Sequence, residues 1–243
     1  MTALRVTDIH AAYDPDLMIV KGISFAVAAG ESLAILGPNG AGKSTLIKAI
    51  AGLTPVTEGT VVLAGKNVSG LSPHHLVRSG LGFVPQTDNV FTRLSIRENL
   101  QIAAELLPKG RRAARIDAML EMFPDLGRRP SERAGALSGG QRQMLAAARA
   151  LLTEPEVLIL DEPSAGLSPK LVGQVFDTLG AISRSGVTLI VVEQNVRAAL
   201  ALAERALVLV EGRVAHDGPS GELVDGRKLG ALFLGHRQAE APA

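Results

Sequence analysis

Gly37-Pro38-Asn39-Gly40-Ala41-Gly42-Lys43-Ser44-Thr45 decides how the rest of the chain is read. An apolar run, Ser32 to Leu36, precedes it, and a helical stretch from Lys43 to about Ala51 follows, with Gly52 in the usual place after a helix end. The segment matches GxxxxGK[ST] in the setting its mechanism requires, a strand before and a helix after. Phosphate oxygens need several backbone N–H donors converging on them, and glycines let the main chain close around an anion without Cβ clashes. Residues 37–45 are therefore the candidate phosphate cradle, with Lys43 reaching the β- and γ-phosphates and the Ser44 hydroxyl a ligand of Mg2+. The plainer alternative is a glycine-rich turn that only caps a helix.

Outward from this loop, strand and helix signals interleave. Leu4 to Ile9, Ile23 to Val27, Thr60 to Leu63 and Gly82 to Pro85 read as strands, as do Val157 to Leu160, Thr188 to Val192 and Leu207 to Val210. From Ser95 to Leu152 the pattern is helical, broken at Pro108, Pro124 and Pro130, so a helical insertion interrupts the strand series. Ser168-Pro169 opens a further helix, and Glu211-Gly212 reads as a hairpin turn leading to Arg213 to Ala215.

The chain has 243 residues, about 1.6 typical domain lengths. Hydrophobic residues make up 47% and charged residues 20%, a balance that excludes intrinsic disorder. Net charge is +1, which supplies no long-range pull toward nucleic acid, so no nucleic-acid partner is expected. Without Cys, disulfides, thiolate catalysis and zinc–thiolate sites are ruled out. Mean hydropathy is positive, +0.24, yet Glu31 and Arg149 interrupt the long apolar stretches well short of the roughly eighteen residues a spanning helix needs. The N-terminus carries Asp8 and Asp14 and does not read as a secretory signal. His74-His75, as helix neighbours, are expected on different faces and on the surface, with no metal role. Arg111-Arg112 and Arg128-Arg129 read as solvated helix ends beside acidic neighbours.

A bound nucleoside triphosphate needs its metal held and its water activated. Val157-Leu158-Ile159-Leu160-Asp161-Glu162 offers two acids at the end of a strand apolar enough for the interior of a parallel sheet. Asp161 is the candidate for the Mg2+ shell and Glu162 for orienting or deprotonating the water. Ser138-Gly139-Gly140-Gln141 is a second glycine-rich loop, leading into a helix from Arg142 to Leu152. It is either a second anion-binding helix end or simply a helix start capped by Ser138.

Placed just upstream of the Asp161 strand, Leu137-Ser138-Gly139-Gly140-Gln141 resembles the signature of ATP-binding-cassette (ABC) ATPases, and the resemblance runs from Leu4 to about Gly235. It implies a P-loop NTPase α/β fold of ABC-ATPase type: a mixed β core, a small antiparallel β part, and a helical subdomain at about 88–150. Residues 1–235 would be one nucleotide-binding domain and 236–243 a flexible tail. By the same resemblance, Tyr13, twenty-four residues before Gly37, is the adenine-stacking aromatic, with edge packing as its alternative. Gln86 is the glutamine that contacts Mg2+ and the water, and Ser164 to Ser168 is a loop at the dimer contact. A solvated amide and a plain turn are the respective alternatives. Where such ATPases commonly carry a switch histidine, this chain has Gln194, whose amide donates a hydrogen bond but cannot titrate.

The triplet Glu193-Gln194-Asn195, the wording PQTDNVFTRLSIRENL, SGGQRQMLAAARAL and DEPSAGLSP, and the FLG ending resemble the shorter ATPase of branched-chain amino acid importers, with urea and amide importers as relatives. The resemblance implies ATP and Mg2+, and catalysis by Lys43, Glu162 and Gln194. It also implies a second ATPase subunit in a homo- or heterodimer, transmembrane permeases facing Thr87 to Leu100, and, indirectly, a periplasmic solute-binding protein. The chain would sit at the cytoplasmic face of the inner membrane. A soluble ABC ATPase without a permease is the rival.

Overall fold

Every residue of Ser32–Leu36, Val157–Asp161 and Thr188–Val192 is buried, the condition of parallel strands covered on both faces. The structure, a computed structural model, describes residues 1–14, 17–87 and 89–238. In chain order its elements are β1 (Thr2–Asp14), β2 (Leu17–Ala28), β3 (Ser32–Leu36), α1 (Lys43–Ile50), β4 (Val56–Leu63), β5 (Lys66–Asn67), α2 (Pro73–Arg78), β6 (Leu81–Val84), α3 (Ile96–Ala104), α4 (Lys109–Met122), α5 (Pro124–Gly127), α6 (Gly139–Leu151), β7 (Val157–Asp161), α7 (Pro169–Arg184), β8 (Thr188–Val192), α8 (Val196–Leu202), β9 (Arg205–Val210), β10 (Arg213–Pro219) and α9 (Arg227–Gln238).

Two sheets result. The first is antiparallel, in the order β2-β1-β4-β5, and the second runs β10-β9-β3-β8-β7-β6. All neighbours in the second are parallel except the β9–β10 hairpin. Alternation along each strand divides the interior. Leu33, Ile35, Ile159 and Ile190 face a core shared with α1 and the antiparallel sheet. Leu158, Leu160, Leu189 and Val191 face α6, α7 and the other helices of the insertion, and Ala34 and Leu36 meet α8.

Several elements depart from expectation. β1 continues past Ile9 to Asp14 because a register shift between Val6 and Ile9, with Asp8 at φ 48°, absorbs the polar residues without ending the pairing. β2 and β4 are likewise longer than their apolar cores. α6 starts at Gly139 rather than Arg142: Ser138 and Gln141 form a reciprocal cap that carries two glycines into the first turn. α9 continues through 236–238, where a frayed tail was expected; residues 239–243 lie outside the described residues. The rings of His74 and His75 do not diverge but pack with centroids 4.0 Å apart, both drawn toward the Ser72 hydroxyl. Both remain exposed.

The hairpin at Glu211-Gly212 bears on the site. Both residues have positive φ, 51° and 79°, as a two-residue hairpin turn requires. Its tip reaches the phosphate loop, where the Gly212 N–H donates to the Ala41 carbonyl at 3.1 Å, and the Gly212 carbonyl accepts from Lys21 N–H at 2.9 Å. A Cβ on Gly212 would stand 1.9 Å from the Ile19 carbonyl oxygen. Gly212→Ala is expected to cost about 2–4 kcal/mol in urea unfolding, the sum of backbone strain and a clash that only main-chain movement relieves.

Candidate functional site

Four loops leave the carboxyl ends of adjacent parallel strands at one edge of the larger sheet: after β3 the phosphate loop, after β6 Pro85-Gln86, after β7 Glu162, and after β8 Glu193-Gln194. Ligands of open α/β sheets bind at this edge, where helix N-termini and loop amides point outward. Pairing of Ile35 and Asp161 with Val192 brings β3, β8 and β7 into register, so loops distant in sequence meet there.

The phosphate loop has the form an anion cradle needs. Gly37, Gly40 and Gly42 have φ of 152°, 81° and 92°, and a Cβ on Gly37 would lie 2.2 Å from the Leu209 carbonyl oxygen. α1 has Gly42 as its N-cap, with no capping side chain and no acid in its first turn, which leaves its amide end available to an anion. Asn39 and Gly40 are exposed at the loop's rim, while Ala41, Gly42 and Thr45 are buried beneath it. Lys43 Nζ donates to the carbonyls of Gly37 and Pro38, at 2.8 and 3.0 Å, so the cation folds back over its own loop. Burial lowers its pKa, against the pull of Glu162 and Asp161.

Ser44 Oγ donates to Asp161 Oδ1 at 3.2 Å. That contact brings together two oxygen ligands beside the cradle, a donor set suited to a hard cation such as Mg2+. Burial raises the Asp161 pKa. A carboxyl with a raised folded pKa adds stability that is complete below the unfolded pKa and lost as pH rises through the folded value. Above the unfolded pKa this buried carboxyl is therefore a burden in the absence of metal. Asp161→Asn is expected to raise the melting temperature without metal at pH 7 by about 2 °C or more, the gain shrinking as pH falls through the raised pKa. Melting curves in a chelator across pH test this, and no gain at pH 7 contradicts it.

Glu162 is buried and sits at φ 47°, an uncommon conformation for a residue with a side chain. Each of its oxygens accepts one side-chain amide: Oε2 from Gln86 Nε2 at 2.9 Å, Oε1 from Gln194 Nε2 at 2.8 Å. The two glutamines singled out for the phosphate and metal thus converge on the candidate base. Sequence reasoning missed Glu193, which is buried and accepts three main-chain N–H groups from the two flanking loops. A carboxylate closing an otherwise apolar strand was the available signal, since a buried charge must find partners.

Ser138-Gly139-Gly140-Gln141 is the capped helix start that its sequence offered, with Ser138 exposed, Gly139 and Gln141 half-buried and Gly140 buried. Its glycines pack against α7 and the loop before it; a Cβ on Gly139 would meet Leu167 at 2.7 Å. Tyr13 is exposed near the end of β1. From Gln86 a series of contacts enters the helical insertion. Asn89 Nδ2 donates to Pro85 O and to Gln143 Oε1, and Arg149 donates to Asn89 O while lying 4.7 Å over the Phe91 ring. Asn99, fully buried, accepts from Phe91 N–H and donates to its carbonyl. The paired arginines meet acids: Arg111 with Glu154, Arg112 with Glu105, Arg128 with Asp125 and Arg129 with Glu132.

A family profile described as ABC transporter matches residues 20–165. The chain is 43% identical to the probable branched-chain amino acid transport ATP-binding protein LivF of Archaeoglobus fulgidus, over 96% of this chain and 98% of that one. It is 37% identical to the high-affinity branched-chain amino acid transport ATP-binding protein BraG of Pseudomonas aeruginosa, over 93% and 97%. The Nod factor export ATP-binding protein I of Burkholderia lata is 36% identical, over 86% and 69%. Among solved structures, the ADP conformation of an ATP-binding cassette of an ABC transporter superposes with a TM-score of 0.85 at 26% identity, over 97% of this chain and 99% of that one.

Proposed function

The chain belongs to the ABC transporter family of ATP-binding proteins, and on that premise we propose that it is the ATP-hydrolysing subunit of an importer for branched-chain amino acids. One observation carries the hydrolytic part: Lys43, the Ser44–Asp161 pair and Glu162 converge at one strand edge, with Glu162 held by Gln86 and Gln194. End-to-end likeness to relatives named for branched-chain amino acids supports the solute class. The export relatives cover the same cassette, so membership of the family alone does not set the direction.

In this reading the cradle amides of residues 37–45 bind the phosphates, and Lys43 exchanges its own loop's carbonyls for the β- and γ-phosphates. Ser44, Asp161 and Gln86 would hold Mg2+, which when bound supplies charge neutralisation at the phosphates. Tyr13, exposed, stacks on the adenine. Glu162 orients the attacking water and accepts its proton, and Gln194 donates to Glu162 or to the γ-phosphate without titrating. The helix N-terminus at Ser138, Gly139, Gly140 and Gln141 serves the ATP held by a second cassette, so two chains close over two nucleotides.

Gln86 has one contact on the base and, through Pro85 and Asn89, a foothold in the helical insertion. Movement of that insertion and the state of Glu162 are thereby coupled, which is what driving a permease demands. A groove of about 480 Å3, lined among others by Phe83, Pro85, Asn89, Ile102, Leu106 and Arg149, lies beside this path. It extends the expected permease-facing segment Thr87 to Leu100, of which Asp88 lies outside the described residues. No described helix is long and apolar enough to cross a membrane. Attachment to the cytoplasmic face of the inner membrane would therefore run through the permeases, with a periplasmic binding protein delivering the solute.

Co-expression with candidate permeases tests the reading. The chain is expected to fractionate with detergent-solubilised membranes and to co-purify with the permeases. A chain that stays in the soluble fraction, permease-free, supports the rival, an ABC ATPase without a transport role.

A further inference from the structure

Glu193 is 2% exposed, and the hydrolytic reading leaves it without a task. A carboxylate removed from water must be satisfied by protein donors, and here all three are main-chain amides. Oε1 accepts from Ser164 N at 2.9 Å, and Oε2 accepts from Gln194 N and Asn195 N, both at 3.1 Å. The donors belong to two loops. Ser164 lies in the loop after β7, two residues beyond Glu162, whereas Gln194 and Asn195 belong to the loop after β8.

The position of Glu193 explains why a side chain is needed there. The last main-chain bond between these strand ends is Glu162 N to Val192 O at 2.9 Å, after which Glu162 turns into its positive-φ conformation and the main chains part. Glu193 N itself donates to Ile35 O at 3.2 Å, on the strand that carries the phosphate loop. One residue therefore joins three strand ends: β3 through its N–H, and the loops after β7 and β8 through its carboxylate.

We propose that Glu193 is the positioning residue for hydrolysis, locking the loop of Glu162 to the loop of Gln194 and so setting the 2.8 Å contact between Gln194 Nε2 and Glu162 Oε1. The proposal rests on the ATPase reading and deepens it. Among the described residues the Glu193 carboxylate hydrogen-bonds to main-chain amides and not to a phosphate-loop side chain or to Glu162, so its influence passes through main-chain geometry. A carboxylate is required because both of its oxygens only accept; the isosteric amide in Glu193→Gln presents an NH2 group to one of the two loops, donor against donor. An aspartate keeps the charge but is one methylene too short to hold both loops.

Glu193→Gln is expected to lower kcat by about tenfold while KM for ATP stays within about twofold, because the phosphate cradle is untouched. In a double-mutant cycle with Gln194→Ala, the same change is expected to cost less than about twofold more, since the contact it positions is already gone. Amide exchange at Ser164, Gln194 and Asn195, measured without nucleotide, is expected to be slow in the wild type and about tenfold faster or more in Glu193→Gln. Wild-type kcat in folded Glu193→Gln, fully multiplicative effects in the cycle, or exchange unchanged by the substitution overturns the proposal. If Glu193→Gln does not fold, Glu193→Asp takes its place with the same expected pattern and the same overturning results. Absence of turnover in the wild type sinks the ATPase reading itself, and the exchange measurement then still decides whether Glu193 joins the two loops.

Discussion

Glu162→Gln is expected to lower ATP turnover by about 10²–10³-fold while leaving ATP affinity within about twofold. The asymmetry follows from where the residue sits. Its carboxylate is buried at the end of β7 and is held by two side-chain amides rather than by the phosphate loop. Removing its charge therefore leaves the cradle and Lys43 in place. In the proposed role, what is lost is the acceptor for the proton of the attacking water, because an amide oxygen is far too weak a base near neutral pH. One amide hydrogen-bonding face must also turn against Gln86 or Gln194, which now meet an NH2 group. Phosphate release and equilibrium binding of a fluorescent nucleotide separate the two effects. A variant that still turns over near the wild-type rate shows that the base is elsewhere; one that no longer binds shows that Glu162 supports the cradle.

Lys43→Ala is expected to act on the other side of that division, weakening ATP binding by about 100-fold or more and abolishing measurable turnover. A factor of 100 corresponds to about 2.7 kcal/mol, within reach of one charge-assisted contact to phosphate in a partly desolvated site. The Lys43 ammonium is buried and, among the described residues, bonded to the carbonyls of Gly37 and Pro38, and burial lowers its pKa. Its charge is thus costly to hold until phosphates arrive, and substitution should not destabilise the empty protein. Isothermal titration with ATP and a melting curve without it measure the two halves. Unchanged affinity contradicts the role given to Lys43, and so does a collapse of stability that accounts for the lost binding.

Much of this site was legible because its chemistry is local. A buried strand, a glycine-rich turn and a helix within 32–50 specify the cradle whatever surrounds them, and an apolar strand ending in Asp161-Glu162 announces two acids at a strand edge. What stayed hidden depends on pairing between distant segments. That Gln86 and Gln194 share one carboxylate follows from the parallel register of β6, β7 and β8. Glu193 reads as part of a loop triplet until its partner Ser164, twenty-nine positions earlier, is brought beside it. The start of α6 lay in plain view: Ser138 and Gln141 have the spacing of a reciprocal cap, but two intervening glycines argue locally against helix, and the cap outweighed them. β1 outran its apolar pattern because a bulge, invisible to alternation, keeps it paired.

Uptake by proteoliposomes that hold the chain with its co-expressed permeases tests most directly that ATP turnover at Glu162 drives a permease. With Mg2+ and ATP on the face where the chain sits, wild-type assemblies are expected to accumulate branched-chain amino acid while releasing phosphate. Assemblies carrying Glu162→Gln are expected to bind ATP and do neither. Uptake by Glu162→Gln at the wild-type rate, or wild-type uptake that needs no ATP, contradicts the account.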